Sequence, residues 1–253
     1  LFGIRLPVNF FSPYRAQNIS DFWRMWHATL SRFLRDYVYN GLGGFLCSPN
    51  RQRFNLFVTM FAGGVWHGAG WTFVLYGFCH GVYVVVHQLW RIKVSGPLGL
   101  VARPWYRAFS QVFTFLLVAL TLGLFRADSV TTAQRLYSGL LEFSGNSFSA
   151  GYLQKLNASG LFRLDALVTP SLNGHFWVFG VLLAALAICW LLPSTYQLFK
   201  PYEVAIDKPV AGRPPVVSLT WRASTAWSVY IALLAAMALA NLSEVSEFLY
   251  FQF

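Results

Sequence analysis

The chain has 253 residues, of which 56% are hydrophobic, 18% are aromatic and only 11% are charged. Soluble domains carry about 25% charged residues, so this composition excludes an ordinary soluble domain and favours an integral membrane protein. The net charge of +10 is accounted for by basic segments that face anionic membrane lipid, and it gives no reason to expect nucleic acid as a partner.

An amphipathic helix is the first predicted element, and it begins after Asn18. Asn18 is a helix-capping residue type, and Asp21 three residues later completes a loose capping box. Two apolar stripes follow at helical spacing, but the arginines between them make the segment too charged to span a membrane. We therefore expect a helix at the cytoplasmic interface or tucked into the bundle. The stripes are Phe22, Trp26, Phe33 and Tyr37, and Trp23, His27, Leu30 and Leu34.

Four apolar regions further along the chain predict about five membrane-spanning helices. Residues 54–90 are long enough for two spans of roughly 20 residues each, and a glycine-rich break lies within the first of these two. We predict an all-α integral membrane protein with residues 1–253 in a single membrane domain, and an exposed loop at Pro193–Pro215. The other apolar regions are Gln111–Phe125, Phe176–Leu192 and Trp227–Leu242.

Loop charges predict the orientation of these helices. The connection 91–110 carries four basic residues and no acidic residue, which places it in the cytoplasm. Two helices in 54–90 return the N-terminal segment to the same side, in agreement with its seven arginines against two aspartates. The sequence thus predicts a multi-pass protein with both segments in the cytoplasm.

His67 is the most unusual ionisable residue, because it lies in the apolar stretch "FAGGVWHGAGWTF" among small residues. Ionisable groups at membrane depth are costly and tend to face a cavity or a pathway. The glycines would leave room for a substrate path, or they would serve close helix packing while His67 makes one interhelical hydrogen bond. Sequence alone leaves both interpretations open. His80 and His87 share a helix face and are predicted to pack against a neighbouring helix, and His175 is predicted to be interfacial.

A haem or metal site is not predicted. His67 and His80 are spaced so that a long helix could align them, but the other spans offer no partner pair of histidines. No carboxylate lies near either residue in sequence to complete a metal site.

Two ordered motifs carry a resemblance to a known family. The segments "FWRMWHATLSRFLRDYVYNGLGG" and "FVTMFAGGVWHGAGWTFVLYGFCHG" resemble the membrane-bound O-acyltransferase family (MBOAT), in the bacterial branch that acetylates alginate, peptidoglycan or cellulose. The opening segment, the later "LFRADS" and the closing "EFLYFQF" are also similar to that branch. Family members carry further spans before the point that matches Leu1, so we expect this chain to be the C-terminal part of the protein.

The resemblance implies site residues. His67 matches the histidine of the family's Trp-His-Gly motif, its catalytic candidate, and His27 matches the second functional histidine of the bacterial branch. Family members hold these groups in a tunnel through the membrane. The residues expected to line it are Trp23, Arg24, Trp26, Gly64, Trp66, Gly68 and Trp71.

The resemblance also implies a function, which is transfer of an acetyl group to hydroxyls of an extracytoplasmic polysaccharide at the bacterial inner membrane. The expected donor is acetyl-CoA or another acyl thioester, with no bound cofactor, and the expected partners are membrane lipid, the polysaccharide and periplasmic SGNH-type acetyltransferases. His67 would act as general base or as acyl carrier. The alternatives are D-alanyl transfer to teichoic acid, and a non-enzymatic transport or scaffold subunit of a polysaccharide export complex.

Overall fold

The structure is a computed structural model that describes residues 6–141, 173–202 and 216–240. These residues form α-helices joined by turns and short 3₁₀ or π segments, as the all-α prediction requires. Two compact units divide the chain: Leu1–Ser138 with Tyr202–Pro214, and Gly139–Pro201 with Pro215–Phe253. The helices are α1 (Ile19–Met25), α2 (Ala28–Phe33), α3 (Pro49–Trp66), α4 (Trp71–Trp90), α5 (Pro104–Arg126), α6 (Val130–Leu141), α7 (Asn173–Leu191), α8 (Thr195–Leu198) and α9 (Thr225–Ala240).

The predicted amphipathic helix is two helices. Its start is confirmed, since the Asn18 side chain accepts a hydrogen bond from the backbone N–H of Asp21 at 2.9 Å. The prediction of one continuous helix is wrong, because α1 ends at Met25 and His27 has left-handed φ and ψ of 45° and 55°. The two stripes are therefore not continuous: Phe22 is buried, whereas Phe33 and Tyr37 are 53% and 72% exposed.

The glycine-rich stretch separates two helices. We expected the break to lie within the first helix of 54–90, but α3 runs unbroken through Gly63 and Gly64, and the turn at 67–70 connects α3 to α4. Gly63 and Gly64 lie inside α3 where neighbouring residues approach closely, the Leu34 side chain at Gly63 and the Gly77 backbone at Gly64.

Two helices are long and apolar enough to cross a membrane. They are Trp71–Ser95, which extends α4, and Pro104–Arg126, which is α5 and extends the predicted Gln111–Phe125 region to 23 residues. Helical segments Phe179–Leu191 and Thr225–Ala240 are apolar but shorter. The count of about five spans stays a prediction.

The core of the first unit joins α1 to α4 and α5. Its buried members come from α1 and the residues just before it, with Val84 of α4 and Val118 of α5. Aromatic and aliphatic side chains from α1, α3, α4 and α5 pack around this cluster. α1 is thus tucked into the bundle, which is one of the two positions predicted for the amphipathic segment. The buried members are Ala16, Ile19, Phe22, Met25, Val84 and Val118.

We predicted an exposed loop at Pro193–Pro215, but the described part of this stretch contains the short helix α8. Ser194 caps α8 in a full capping box with Gln197, and several residues of this stretch are only partly exposed. The backbone N–H of Trp221 donates to the carbonyl of Leu198 at 2.9 Å, and the rings of Phe199 and Trp221 lie 5.6 Å apart. The remainder of the predicted loop, residues 203–215, lies outside the described residues, as do the last two residues of the predicted span Trp227–Leu242.

Candidate active site

His27 lies at the break between α1 and α2, and an upstream segment holds that break. The backbone N–H of Phe11 donates to the carbonyl of Met25, and the N–H of Ala28 donates to the carbonyl of Asn9. The Asn9 side chain also accepts from the N–H and the hydroxyl of Thr29, at 3.0 and 2.8 Å. One carbonyl at the end of α1 and two N–H groups at the start of α2 are therefore satisfied by Asn9 and Phe11.

Because the Asn9 side chain caps α2, the His27 side chain is not needed as the helix cap. His27 occupies the N-cap position of α2 without making a side-chain capping bond. Its Nδ1 is buried and has no hydrogen-bond partner within the part of the chain that the structure describes. The only neighbouring ring that the described residues bring to it is Phe10, 5.9 Å away. A non-glycine residue held at positive φ with an unsatisfied buried nitrogen marks a candidate functional position.

His67 lies in the turn between α3 and α4, outside both candidate spans. Its backbone N–H donates to the carbonyl of Gly64, which closes the last turn of α3. Its ring is half-buried among aromatic rings, with centroid distances of 5.0 Å to Trp66, 4.9 Å to Phe125 and 6.2 Å to Phe73 and Tyr76. The turn therefore presents an imidazole against an aromatic wall built from α4 and the end of α5.

Electrostatics link the two predicted catalytic residues. Burial lowers the pKa of His67, and a positive charge on His27 lowers it further. Burial is the larger of these two causes, and the charge of His27 is the smaller. A lowered pKa keeps the His67 imidazole neutral, which is the form that can accept a proton.

Gly64 contacts the neighbouring helix. A Cβ on Gly64 would lie 2.4 Å from the Cα and 2.6 Å from the N of Gly77, so α3 and α4 approach each other through these two glycines. This contact is what the packing interpretation of the glycines expects. Gly68 follows His67 with φ of 156° and is partly exposed at the turn.

The remaining predicted tunnel residues occupy different surroundings. Trp66 and Trp71 flank the turn and are 62% and 74% exposed. Trp26 stacks on Phe22 with ring centroids 5.6 Å apart. Arg24 is exposed and forms an ion pair with Asp21 on the preceding turn of α1.

Trp23 belongs to a buried network that the sequence did not predict. Its indole N–H donates to Nδ1 of His80 at 3.2 Å, and Nε2 of His80 lies 3.1 Å from the hydroxyl of Thr121. The prediction that His80 and His87 bond or pack against neighbouring helices is confirmed, since His87 Nδ1 lies 3.1 Å from the Ser20 hydroxyl.

The sequence analysis did not identify Phe125 as a neighbour of His67, although their ring centroids lie 4.9 Å apart. Its position at the end of the apolar run, in the quoted "LFRADS" motif, was the available signal.

No group of three or more histidine, cysteine, aspartate or glutamate side chains within the described ranges is arranged to hold a metal ion.

Comparison with known proteins gives these positions a family. The sequence profile described as "MBOAT, membrane-bound O-acyltransferase family" matches residues 1–131, which include both Trp-His motifs and the helices that carry them. The chain belongs to the membrane-bound O-acyltransferase family. His27 and His67 both lie in the matched region, as do all the residues predicted to line a tunnel.

Three curated relatives of this chain are named for different functions. "Probable alginate O-acetylase AlgI" of Pseudomonas putida is 32% identical over 260 residues, covering 100% of this chain and 47% of the relative. "Peptidoglycan O-acetyltransferase" of Helicobacter pylori is 33% identical over 181 residues, covering 67% of this chain and 33% of the relative. "Teichoic acid D-alanyltransferase" of Streptococcus thermophilus is 30% identical over 141 residues, covering 49% and 34%.

The chain spans about half the length of the first of these relatives and a third of the other two. Of these three similarities, that to the alginate O-acetylase extends over the whole chain. The activity, substrates and partners of the whole protein are therefore proposals.

Proposed function

We propose that this chain is part of a membrane O-acyltransferase that moves an acetyl group from a thioester to hydroxyls of an extracytoplasmic polysaccharide. The observation that carries the proposal is that His27 and His67, from two separate motifs, both lie in the region that matches the family, with His67 half-buried against aromatic rings and the charge of His27 contributing to its lowered pKa. The chain-long similarity to an alginate O-acetylase favours a polysaccharide acceptor.

In the proposed mechanism His67 is the general base. The acceptor hydroxyl gives its proton to the neutral imidazole as its oxygen forms the new C–O bond to the acyl carbon. The C–S bond of the thioester then breaks, and the leaving thiolate takes the proton from His67. The aromatic wall of Phe73, Tyr76 and Phe125 supports this role, because it partly removes the ring from water and keeps it neutral.

His27 is proposed to orient the acceptor or relay a proton. Its free Nδ1 and its fixed backbone suit a group that binds a transient partner better than one that stabilises a helix end. The second route, in which a histidine carries the acyl group and passes it to a partner protein, uses the same two residues with an acyl-imidazole step.

The proposed setting is the bacterial inner membrane, with about five spans in this chain and with Trp23, Arg24, Trp26, Trp66, Gly64, Gly68 and Trp71 near the substrate path. Acetyl-CoA or another acyl thioester is the proposed donor, and no bound cofactor is required by the mechanism. Membrane lipid surrounds the helices, and periplasmic SGNH-type acetyltransferases are the proposed protein partners.

D-alanyl transfer to teichoic acid is the second candidate function, and the similarity to a teichoic acid D-alanyltransferase supports it. That similarity covers 49% of this chain, against 100% for the alginate O-acetylase, so acetyl transfer is favoured. A non-enzymatic scaffold is disfavoured because it gives no reason for two histidines to be held together.

The decisive experiment measures polymer-bound ester in cells that carry the complete gene as wild type, His67→Ala or His27→Ala. Mild base releases the acyl group, and chromatography distinguishes acetate from D-alanine. Membrane protein levels are measured in parallel, and His87→Gln serves as a control because His87 bonds to Ser20 away from the His67 turn.

We expect both alanine variants to lose ester-bound acetate at unchanged protein level while the control retains it. Unchanged acetate in both variants would return His67 to the packing interpretation and favour the scaffold. Release of D-alanine in place of acetate would establish the second candidate.

A further inference from the structure

His80 is the most completely buried histidine of the described residues, with 1% of its surface exposed, and it touches neither the His67 turn nor the α1–α2 break. It bonds to α1 through Trp23 and to α5 through Thr121, while it belongs to α4. Three helices thus meet at one imidazole.

The hydrogen bonds of His80 define its tautomer. An indole N–H only donates, so Nδ1 of His80 must accept from Trp23. The proton of the neutral ring is then on Nε2 and is donated to the Thr121 hydroxyl. Thr121 passes its own hydroxyl hydrogen to a carbonyl of α5, with Leu117 O at 3.1 Å and Val118 O at 2.9 Å.

Because both ring nitrogens of His80 are engaged in these hydrogen bonds, His80 is not available for proton transfer. A second proton on the ring would place an N–H against the indole N–H, with no acceptor for either. Every polar atom of the network already has a partner, which makes such a buried network rigid and specific. His80 is therefore built to hold geometry.

The contacts of His80 extend toward both parts of the candidate active site, the break at His27 and the turn at His67. Trp23 lies on α1, whose end carries the break at His27, and the Ser31 hydroxyl donates to the Trp23 carbonyl across that break. On the other side, the Tyr76 ring lies 4.4 Å from His80 and 6.2 Å from His67. His80 thus has one direct bond toward the His27 motif and one ring contact toward the His67 turn.

We propose that His80 is a positioning residue that fixes the spacing between His27 and His67 by tying α1 to α4 and α5. This inference rests on the proposed function and adds to it a network of Trp23, His80 and Thr121. Because a displacement of about 1 Å can cost on the order of a hundredfold in rate, loss of the network should lower the rate of acyl transfer in folded protein.

Thr121 offers the most controlled test. Thr121→Val keeps the shape of the side chain and removes the hydroxyl, whereas Thr121→Ser keeps the hydroxyl. Thr59→Val is the matched control: Thr59 is also buried in a helix and its hydroxyl also donates to a carbonyl of its own helix, that of Asn55 at 2.7 Å, but no bond to His80 is made.

The experiment uses the complete protein in membranes and measures kcat, the KM for the thioester, and the melting temperature. We expect Thr121→Val to lower kcat roughly ten- to a hundredfold with KM changed less than about twofold, and Thr121→Ser to restore kcat. Thr59→Val removes the same kind of hydroxyl-to-carbonyl bond and should leave kcat unchanged, whereas Thr121→Val should lower the melting temperature further because the Nε2–H of His80 loses its acceptor. A Thr121→Val protein with wild-type kcat would overturn the proposal.

A second comparison tests whether His80 carries the effect. Trp23 and Thr121 bond to opposite nitrogens of His80, so Trp23→Phe and Thr121→Val should be non-additive, and the double variant should be no slower than the slower single variant. Effects on kcat that multiply would overturn coupling through His80. If the wild-type protein transfers no acyl group at all, the proposed function itself is refuted and this inference falls with it.

Discussion

The side-chain oxygen of Asn9 accepts hydrogen bonds from both the backbone N–H and the hydroxyl of Thr29, a residue 20 positions further along the chain. Asn9 thereby caps α2 in place of His27, which stands at the N-cap position. The consequence is a histidine that begins a helix with its ring unused, at a position where serine, threonine, asparagine or aspartate would ordinarily bond to the helix end.

Asn9→Ala is expected to destabilise the protein and to reduce acyl transfer. Loss of a helix cap costs about 1 kcal/mol, and the freed N–H groups would compete for the His27 ring. Asn9→Asp keeps an oxygen that can accept both bonds and should retain most of the activity. Thermal unfolding in detergent and the acyl-transfer rate per folded protein measure the two effects. Equal activity of Asn9→Ala and wild type would show that this cap does not position His27.

Gly64→Ala is expected to reduce folded protein, because its Cβ would overlap the backbone of Gly77 at 2.4 Å. Overpacking of this kind costs about 1–3 kcal/mol, and here the obstacle is backbone that cannot rotate away. Gly180→Ala is the control, because no atom lies within 4 Å of its added Cβ. The measurement is the amount of monodisperse protein extracted from membranes. Normal yield together with a raised KM for substrate would instead support a tunnel role for Gly64.

The sequence correctly predicted those elements that depend only on residues close together in the chain. The apolar run of α5 and the capping of α1 by Asn18 could be recognised because each involves residues within one helix or one turn. The bonding of His80 and His87 to neighbouring helices followed from their shared face on α4, although their partners did not.

The break at His27 could not be predicted from its own helix. Helical spacing continues through His27, and no glycine or proline interrupts it. The competing bonds come from Asn9 and Phe11, which are distant in sequence. The same limit applies to Gly64, since the sequence marks a small residue but cannot name Gly77 as the backbone that approaches it.

Phe125→Ala is expected to lower acyl transfer on the order of tenfold by releasing the His67 ring. The Phe125 ring contacts His67, Phe73 and Tyr76 at 4.9, 5.2 and 5.3 Å, so its removal opens one side of the aromatic wall. Phe125→Leu refills part of this volume and should recover part of the rate. The readout is kcat at matched protein level. If leucine and alanine variants were both fully active, Phe125 would have no part in holding His67.

The dependence of the rate on pH tests the electrostatic link between the two histidines. Because burial and the charge of His27 both lower the pKa of His67, its neutral base form persists to a lower pH than that of a free imidazole. The rate should rise with pH through this lowered pKa and become level above it. In His27→Gln the contribution of the His27 charge is gone, so the pKa of His67 rises and the acid limb of the profile moves to higher pH.

This shift is measured as kcat/KM between about pH 5 and pH 8, using the residual activity of His27→Gln and a His87→Gln protein as control. The control should keep the wild-type limb, because His87 is not among the charges that act on His67. An acid limb that stays in place in His27→Gln would mean that the rate does not report the titration of His67. The assignment of His67 as general base would then be wrong.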